Sequence, residues 1–482
     1  MTRQLPVRVR FAPSPTGMMH LGNVRVALMN YLFAKQKHGT FIIRIEDTDQ
    51  QRNVDTQASK ILDDILWLGL DYDEGPIKGG HYAPYFQSQR TSIYQEKLTV
   101  LQHRELAYRC FCTTQELEKK RQRQIALKLP PRYDRTCLNL SAEQISKNVA
   151  GKVPFIWRFR LPDSVIQIHD MARGIITFDM KHFSDFALTR QDGTFTFMFA
   201  NFVDDMVMVI SHVIRGEDHL SNTAGQAALY KAFGIEMPIF WHLPIIANAQ
   251  GQKLSKRDFG FSLQDLRTGG YLHEAICNYL AIIGGGSFEQ EVMSIEQLIN
   301  TLNFDNLNAT GQVRYDIEKL RWINHKWIER LDLKDLTHRC LPILQSAFPA
   351  ITDIDEKTLL SLMSIIRTDL ITLNDAKDAL YFYFHAPQLT NEQLQEIIPT
   401  DILNSIKKLI HNNIALIATD SSHAFVEHIK EEAKKGAIQN KYLFWFIRLC
   451  LTGKAHGPAI HELIDMLGKQ ESIKRIEAII KQ

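Results

Sequence analysis

The sequence predicts an α/β protein: a parallel, nucleotide-binding sheet of Rossmann type, interrupted by an α+β insertion and followed by an all-α carboxy-terminal half. Three observations support this. Strand and helix patterns alternate through roughly the first 75 residues, with glycines closing the helices. Over residues 110–190 the texture changes to a basic helical stretch and then to alternating strands. Beyond Phe261, apolar residues recur at helical spacing nearly to the end.

In chain order, residues 7–11 form a short β-rich run that stops at the breaker Pro13-Ser14-Pro15-Thr16-Gly17. A helix is expected over 23–37, where Val24, Ala27, Leu28, Tyr31 and Leu32 share one side and Gly39 ends it. Residues 41–45 read as a second strand. Residues 56–68 read as a helix, with Ile61, Leu62, Ile65 and Leu66 on one stripe and Gly69 closing it. In the insertion, 155–161, 165–168 and 174–178 alternate as strands do, and 206–214 and 239–246 then resume the buried-strand pattern. Further helices are expected near 359–366, 402–410, 425–433, 442–451 and 460–467. The expected division is 1–109 with 191–260 for the sheet domain, 110–190 for the insertion, 261–327 for a helical connecting region and 328–482 for an all-helical domain. No internal repeat or low-complexity linker interrupts it.

At 482 residues the chain suits about three domains. Hydrophobic residues at 45% and charged residues at 23% are ordinary for a globular protein with sizeable cores. No apolar run reaches the ~20 residues of a membrane span. Residues 1–10 carry three arginines but no apolar stretch or cleavage site, so they do not read as a signal peptide, and a cytoplasmic address is expected. The net charge of +2 announces no nucleic-acid partner by itself. Its distribution says more: residues 117–135 hold seven Lys or Arg against Glu118 and Asp134, a block suited to phosphates or to a solvated helix face. Six cysteines without a secretion signal do not form a disulfide framework. Cys277, Cys340 and Cys450 sit among apolar neighbours and read as buried thiols, whereas Cys110, Cys112 and Cys137 gather in one stretch.

Two polar segments carry the chemistry. Between the first strand and first helix lies Pro13-Ser14-Pro15-Thr16-Gly17-Met18-Met19-His20-Leu21-Gly22-Asn23. An ATP phosphate chain needs free N–H groups, a positive helix end and a glycine that permits close approach. This segment offers all three, with His20 as an added donor, although His-x-Gly before a helix would by itself read as a capping turn. The second segment, Lys253-Leu254-Ser255-Lys256-Arg257, follows Gly251 in a polar loop. Two lysines on such a loop can clamp β- and γ-phosphates as charge develops. Alone it would read as a solvated basic turn.

In this order and at this distance the two segments resemble the His-Ile-Gly-His and Lys-Met-Ser-Lys-Ser signatures of class I aminoacyl-tRNA synthetases. Arg44-Ile45-Glu46-Asp47-Thr48-Asp49, the run from His212 through Arg215, Glu217 and His219 to Asn222, His242-Leu243-Pro244, Leu451-Thr452-Gly453 and His456-Gly457-Pro458 are similar to segments of bacterial glutamyl-tRNA synthetases, in the glutamate/glutamine subgroup of that class. The resemblance covers essentially the whole chain. It implies a monomeric enzyme, with no membrane partner, that uses ATP with Mg²⁺ to convert L-glutamate to glutamyl-adenylate. Transfer to the 3′-terminal adenosine of tRNA-Glu follows, with tRNA-Gln left open. Residues 110–190 would bind the acceptor stem, 261–327 contact the stem and 328–482 bind the anticodon. It implies an ATP site of Pro13, Gly17, His20, Gly22, Asn23, Lys253, Leu254, Ser255, Lys256 and Arg257, with His20, Lys253 and Lys256 as the catalytic groups.

Glutamate is a dianion with one ammonium, so its pocket needs arginines and a carboxylate. By the resemblance, Arg10 and Arg215 hold the side-chain carboxylate, Ser14 and Glu46 the α-ammonium, and Asn201 the α-carboxylate. Each charge-assisted bond of an arginine fork adds roughly 1.5–3 kcal/mol. The chain departs from its relatives at Phe197, where they carry a tyrosine, and the missing hydroxyl costs about 1 kcal/mol if uncompensated. Cys110, Cys112, Tyr133 and Cys137 resemble the zinc site of some family members, with Tyr133 or water as fourth ligand and Asn139 standing where relatives place a better one. The resemblance further implies that tRNA must bind before glutamate is activated. Among rivals, a glutaminyl-tRNA synthetase would carry a β-barrel anticodon half, and the tRNA-modifying relative would lack that half. A non-catalytic tRNA-binding regulator is the alternative from another class, opposed by the intact His20, Lys253 and Lys256.

Overall fold

A computed structural model describes residues 6–15, 17–49, 55, 58–255, 258–283, 290–304 and 313–482. The chain forms two compact units: Met1–Leu266 with His273–Ile317, and Arg267–Leu272 with Glu318–Gln482.

The first unit begins with β1 (Arg8–Phe11), α1 (Leu21–Gln36) and β2 (Thr40–Ile43), the two strands pairing in parallel with Val9 opposite Phe41. Helix α1 is buried along Leu21, Val24, Leu28 and Leu32, as a crossover covering a sheet must be. Gly39 permits the turn into β2, because a Cβ there would lie 2.4 Å from the Val7 carbonyl oxygen. Helix α2 (Ser59–Trp67) buries Ile61, Leu62 and Ile65, while Leu66 of the expected stripe faces outward.

After α3 (Thr91–His103) come β3 (Ala107–Cys110), α4 (Thr114–Ala126), α5 (Ala142–Ala150), β4 (Ile156–Phe159), β5 (Val165–Asp170) and β6 (Gly174–Asp179). The basic helix α4 starts with a Thr113–Glu116 capping box and buries nothing, the pattern of a solvated face. The chain continues through α6 (Phe197–Val207), β7 (His212–Gly216), α7 (Leu220–Phe233) and β8 (Ile239–Leu243). One sheet runs in the order β6-β5-β8-β7, with β7 and β8 parallel and β5 meeting β8 in parallel at Asp170 and Phe240. Ser211 joins it to β1, its N–H donating to the Arg8 carbonyl at 3.0 Å and its Oγ accepting from the Arg8 N–H at 2.8 Å. The strands β5 and β6 therefore continue the sheet that carries β7 and β8.

The structure corrects one strand. The run 206–214 is not continuous: Met206 and Val207 end helix α6, Val209 turns in the left-handed region at φ 55°, and the strand starts at His212. A short apolar run without clear alternation fits a helix end as well as a strand, so periodicity does not separate the two.

The second unit is helical, with Leu333–Ala347, Glu356–Ile366, Asp375–Phe384, Thr400–Asn413, Ser422–Lys435, Asn440–Thr452, Ile460–Leu467 and Lys469–Ile480 among its helices. Leu403, Ile406, Phe425, Leu443, Phe446 and Leu463 form its core, and Asp332, Asp355 and Ser421 cap helix starts through their side chains. Cys277, Cys340 and Cys450 are buried, which pushes the thiols of the first two up to about 12. Among the described residues, no helix is long and apolar enough to cross a membrane.

Candidate active site

His20 caps α1: its Nδ1 accepts the Asn23 N–H at 3.2 Å. The ring proton is thereby assigned to Nε2, which remains a donor. Gly22 makes this possible, since a Cβ there would stand 3.0 Å from both Cε1 and Nδ1 of His20. Burial, and then Lys253, holds the His20 pKa below its ordinary value, so the ring is neutral at pH 7. Gly17 adopts φ +145° with open space around it. Pro13 accepts the Glu46 N–H at 2.9 Å, and the exposed Ser14 follows it.

A short antiparallel pairing brings the second signature to the first. Leu21 N–H donates to Phe261 O at 3.0 Å, Leu263 N–H to Met19 O at 2.9 Å, and the Phe261 ring lies 5.5 Å from that of His20. The loop before it closes by Leu254 N–H donating to Ile246 O at 3.0 Å, with Leu254 buried and Gly251 turning at φ +76°. Lys253 projects from this loop, its Nζ 3.3 Å from Asp218 Oδ2, and Ser255 donates to Asp258 Oδ2 through both N–H and Oγ. Lys256 and Arg257 lie outside the described residues.

Beneath this face lies a buried charge cluster. Arg10 donates from Nε and Nη2 to Asp205 at 3.0 and 3.3 Å. Arg44 donates to the same carboxylate at 2.6 Å and to Glu46 Oε1 at 3.0 Å, and lies 3.7 Å from Asp204. Asp204 also takes Arg90 Nε at 2.6 Å, Gln87 and Tyr94. The two arginines on Asp205 hold its pKa down against burial, whereas burial prevails at Glu46 and raises its pKa. Asn201 donates to Glu46 and accepts from Gln226 at 2.8 Å.

Arg215, on β7, differs. It is buried, its Nη2 donates to Thr223 Oγ1 at 2.6 Å, and its Nε and Nη1 have no hydrogen-bond partner. Burial, with Arg10 nearby, pushes its pKa down to about 10, still charged at neutrality. Four arginines (Arg10, Arg44, Arg90 and Arg215) stand against three carboxylates (Glu46, Asp204 and Asp205), leaving one positive charge and two guanidinium nitrogens of Arg215 without an acceptor. A buried cation in that condition costs several kcal/mol unless a ligand pairs with it. Phe197 starts α6 half-buried, its ring 5.5 Å from His219. Asp205, Thr223, Gln226 and the buried Tyr230 hydroxyl were not selected from sequence: a helix interior of apolar residues, such as α6, gives no pattern that marks one acid as a ligand for two distant arginines.

A third group forms where β3 ends. The sulfurs of Cys110, Cys112 and Cys137 lie within 4.8 Å of one another. The Tyr133 hydroxyl is 3.3 Å from the Cys110 sulfur and 3.8 Å from that of Cys112, and the Arg158 guanidinium sits 4.1 Å from the Tyr133 ring centroid. Three soft donors and a phenol oxygen around one point suit a tetrahedral zinc ion, and Arg158 offsets the negative charge such a ligand set carries.

Comparison with known proteins agrees with this geometry. Residues 6–322 match the catalytic domain of class I tRNA synthetases (E and Q), and residues 335–480 match an anticodon binding domain. A glutamate–tRNA ligase of Sulfurihydrogenibium sp. is 37% identical over 478 residues, covering 98% of this chain and 99% of the relative. That of Bacillus subtilis is 36% identical over 481 residues with the same coverage. A crystal structure of a glutamate tRNA ligase from Elizabethkingia meningosepticum in complex with its amino acid superposes with a TM-score of 0.88 at 31% identity, over 99% of this chain and 100% of that one. With the catalytic-domain match, the anticodon-domain match and full-length similarity in agreement, the chain belongs to the class I tRNA synthetases of the glutamate and glutamine group, among the glutamate–tRNA ligases.

Proposed function

We propose that this chain activates L-glutamate with ATP and transfers it to the terminal adenosine of tRNA-Glu. The observation that carries the proposal is Arg215, a buried cation with two unpartnered guanidinium nitrogens. The glutamate side-chain carboxylate would accept from it, beside Arg10. The α-ammonium would sit by Glu46 and Ser14, and Asn201 would reach the α-carboxylate. Phe197 offers a ring face and no hydroxyl to this pocket.

The α-carboxylate then attacks the α-phosphorus, and the P–O bond to pyrophosphate breaks. His20 Nε2–H and Lys253 would donate to phosphate oxygens, a task the resemblance extends to Lys256 and Arg257. Pro13, Gly17, Gly22, Asn23, Leu254 and Ser255 shape the floor. Positioning and charge stabilisation lower the barrier without a side-chain base. Mg²⁺, which accompanies ATP in this class and is held mainly by phosphate oxygens, would neutralise charge there. In the second step the tRNA 2′-hydroxyl attacks the acyl carbon and AMP leaves. Residues 110–190 would meet the acceptor stem, 261–327 the stem and 328–482 the anticodon. The enzyme would act as a cytoplasmic monomer, with tRNA-Gln as a second acceptor to be tested by charging both tRNAs. A non-catalytic regulator is the weaker reading, because His20 and Lys253 are both present and Lys253 lies near enough to His20 to lower its pKa.

The test is pyrophosphate exchange. Exchange is expected with glutamate, ATP and tRNA-Glu together, to be nearly absent without tRNA, and to weaken as salt releases the phosphate contacts. Robust exchange without tRNA would refute the coupling, and none with tRNA would refute the activity.

The cysteine cluster is expected to hold one zinc ion on Cys110, Cys112 and Cys137, with Tyr133 as fourth ligand and a structural role. Elemental analysis of protein purified without chelator should give one zinc per chain, and Cys112→Ser should lose it and lower the melting temperature. Fully active, zinc-free protein would make the cysteines a remnant.

A further inference from the structure

We propose that Thr223 and His242, backed by Asp170, are positioning residues that aim Arg215 at the glutamate side-chain carboxylate. The inference rests on the glutamate reading above. Asp170 ends β5, Arg215 lies on β7, Thr223 on α7 and His242 on β8. All three supporting side chains are buried. They form one chain: Asp170 Oδ2 to His242 Nδ1 at 2.7 Å, His242 Nε2 to Thr223 Oγ1 at 2.8 Å, and Thr223 Oγ1 to Arg215 Nη2 at 2.6 Å.

The direction of every bond follows from its end. The Asp170 carboxylate only accepts, and three backbone N–H groups, of Ala172, Arg173 and His242, hold it at 3.0–3.1 Å. His242 Nδ1 must therefore carry the ring proton, which leaves Nε2 as an acceptor. Thr223 donates its hydroxyl proton to that nitrogen and turns its lone pairs to Arg215. The His219 carbonyl at 3.2 Å is the more distant competitor for the same proton. The Phe240 ring stacks on His242 at 5.8 Å and 10°, and lies under the Arg215 guanidinium at 5.8 Å. Burial lowers the His242 pKa, in keeping with a neutral ring.

The neighbouring arginine shows why this matters. Arg10 is anchored directly by Asp205, which occupies its Nε and Nη2. A carboxylate placed so on Arg215 would compete with the ligand for the same fork. Anchoring through two neutral groups fixes one N–H and keeps the countercharge two residues away, so Nε and Nη1 stay available. A second tie steadies the same turn: Arg173 pairs with Glu217 at 2.5 Å, and Glu217 Oε1 accepts the Ile245 N–H at 3.0 Å.

The test compares Thr223→Val, which keeps shape and removes the hydroxyl, with Thr223→Ser, which keeps the hydroxyl, in aminoacylation of tRNA-Glu. Thr223→Val is expected to raise the KM for glutamate about tenfold or more. Its kcat and KM for ATP should stay within about twofold, since the lost contact serves the amino acid in ground and transition states alike. Its preference for glutamate over glutamine should narrow. Thr223→Ser should stay near the parent, and Asp170→Asn should raise the glutamate KM with His242 intact. Should Thr223→Val fail to fold, Thr223→Cys carries the same comparison. An unchanged glutamate KM, a matching rise in the ATP KM, or a serine variant as poor as valine would overturn the proposal. A parent enzyme that charges no glutamate would instead overturn the functional reading.

Discussion

Replacing Arg215 with methionine is expected to cut kcat/KM for glutamate by roughly 10²–10³-fold or more, because truncating one side of a buried, hydrogen-bonded charge pair costs about 2–5 kcal/mol. The usual risk with a buried arginine is that the variant unfolds. Here the physics runs the other way. In the free protein Arg215 has a single side-chain bond, to Thr223, and two nitrogens without partners. A linear apolar side chain fills the same space without an uncompensated charge, so the melting temperature of Arg215→Met should equal or exceed that of the parent. Loss of charging with retained stability separates a ligand-binding cation from a structural one. Discrimination against glutamine, which sites of this kind hold at about 10⁴, should collapse with it. Kinetics with both amino acids and a thermal scan decide the matter. Near-parental glutamate kinetics would remove Arg215 from the pocket, and a large fall in stability would make it a structural residue.

Asp205 should show the opposite behaviour. Its carboxylate takes two bonds from Arg10 and one from Arg44, all fully buried. In Asp205→Asn the amide nitrogen faces donors, and two buried guanidinium groups lose their shared countercharge. The expected loss of stability is about 3–5 kcal/mol, as for other buried pairs broken on one side. Both arginines hold the folded-state pKa of Asp205 below the unfolded value of about 3.9. A depressed carboxylate contributes stability above its unfolded pKa and loses it as pH falls through the folded one. The stability gap between parent and Asp205→Asn should therefore be constant near neutrality and shrink only below about pH 4. Denaturant unfolding at several pH values measures it, and a gap that closes already near pH 6 would assign the effect to another group.

The two predictions differ because an arginine's surroundings, not its identity, decide its role. Sequence alone determines the family, the α/β-then-helical order and the placement of His20, Lys253 and the cysteine trio in polar segments, because these rest on local spacing and turn chemistry. By resemblance it also assigns Arg10, Ser14, Glu46, Phe197, Asn201 and Arg215 to the pocket as an expectation. It does not separate Arg10 from Arg215. That difference comes from Asp205, some 195 positions from Arg10 along the chain, and from the Thr223–His242–Asp170 chain, whose members sit on three different elements. Nor does it mark residues 206–214 as a helix end followed by a strand, since a short apolar run without clear alternation gives no period to read. Periodicity and capping are properties of neighbours along the chain; ion pairing and hydrogen-bond direction are properties of neighbours in space, and only the packing of β1, β5, α6, β7, α7 and β8 brings those together.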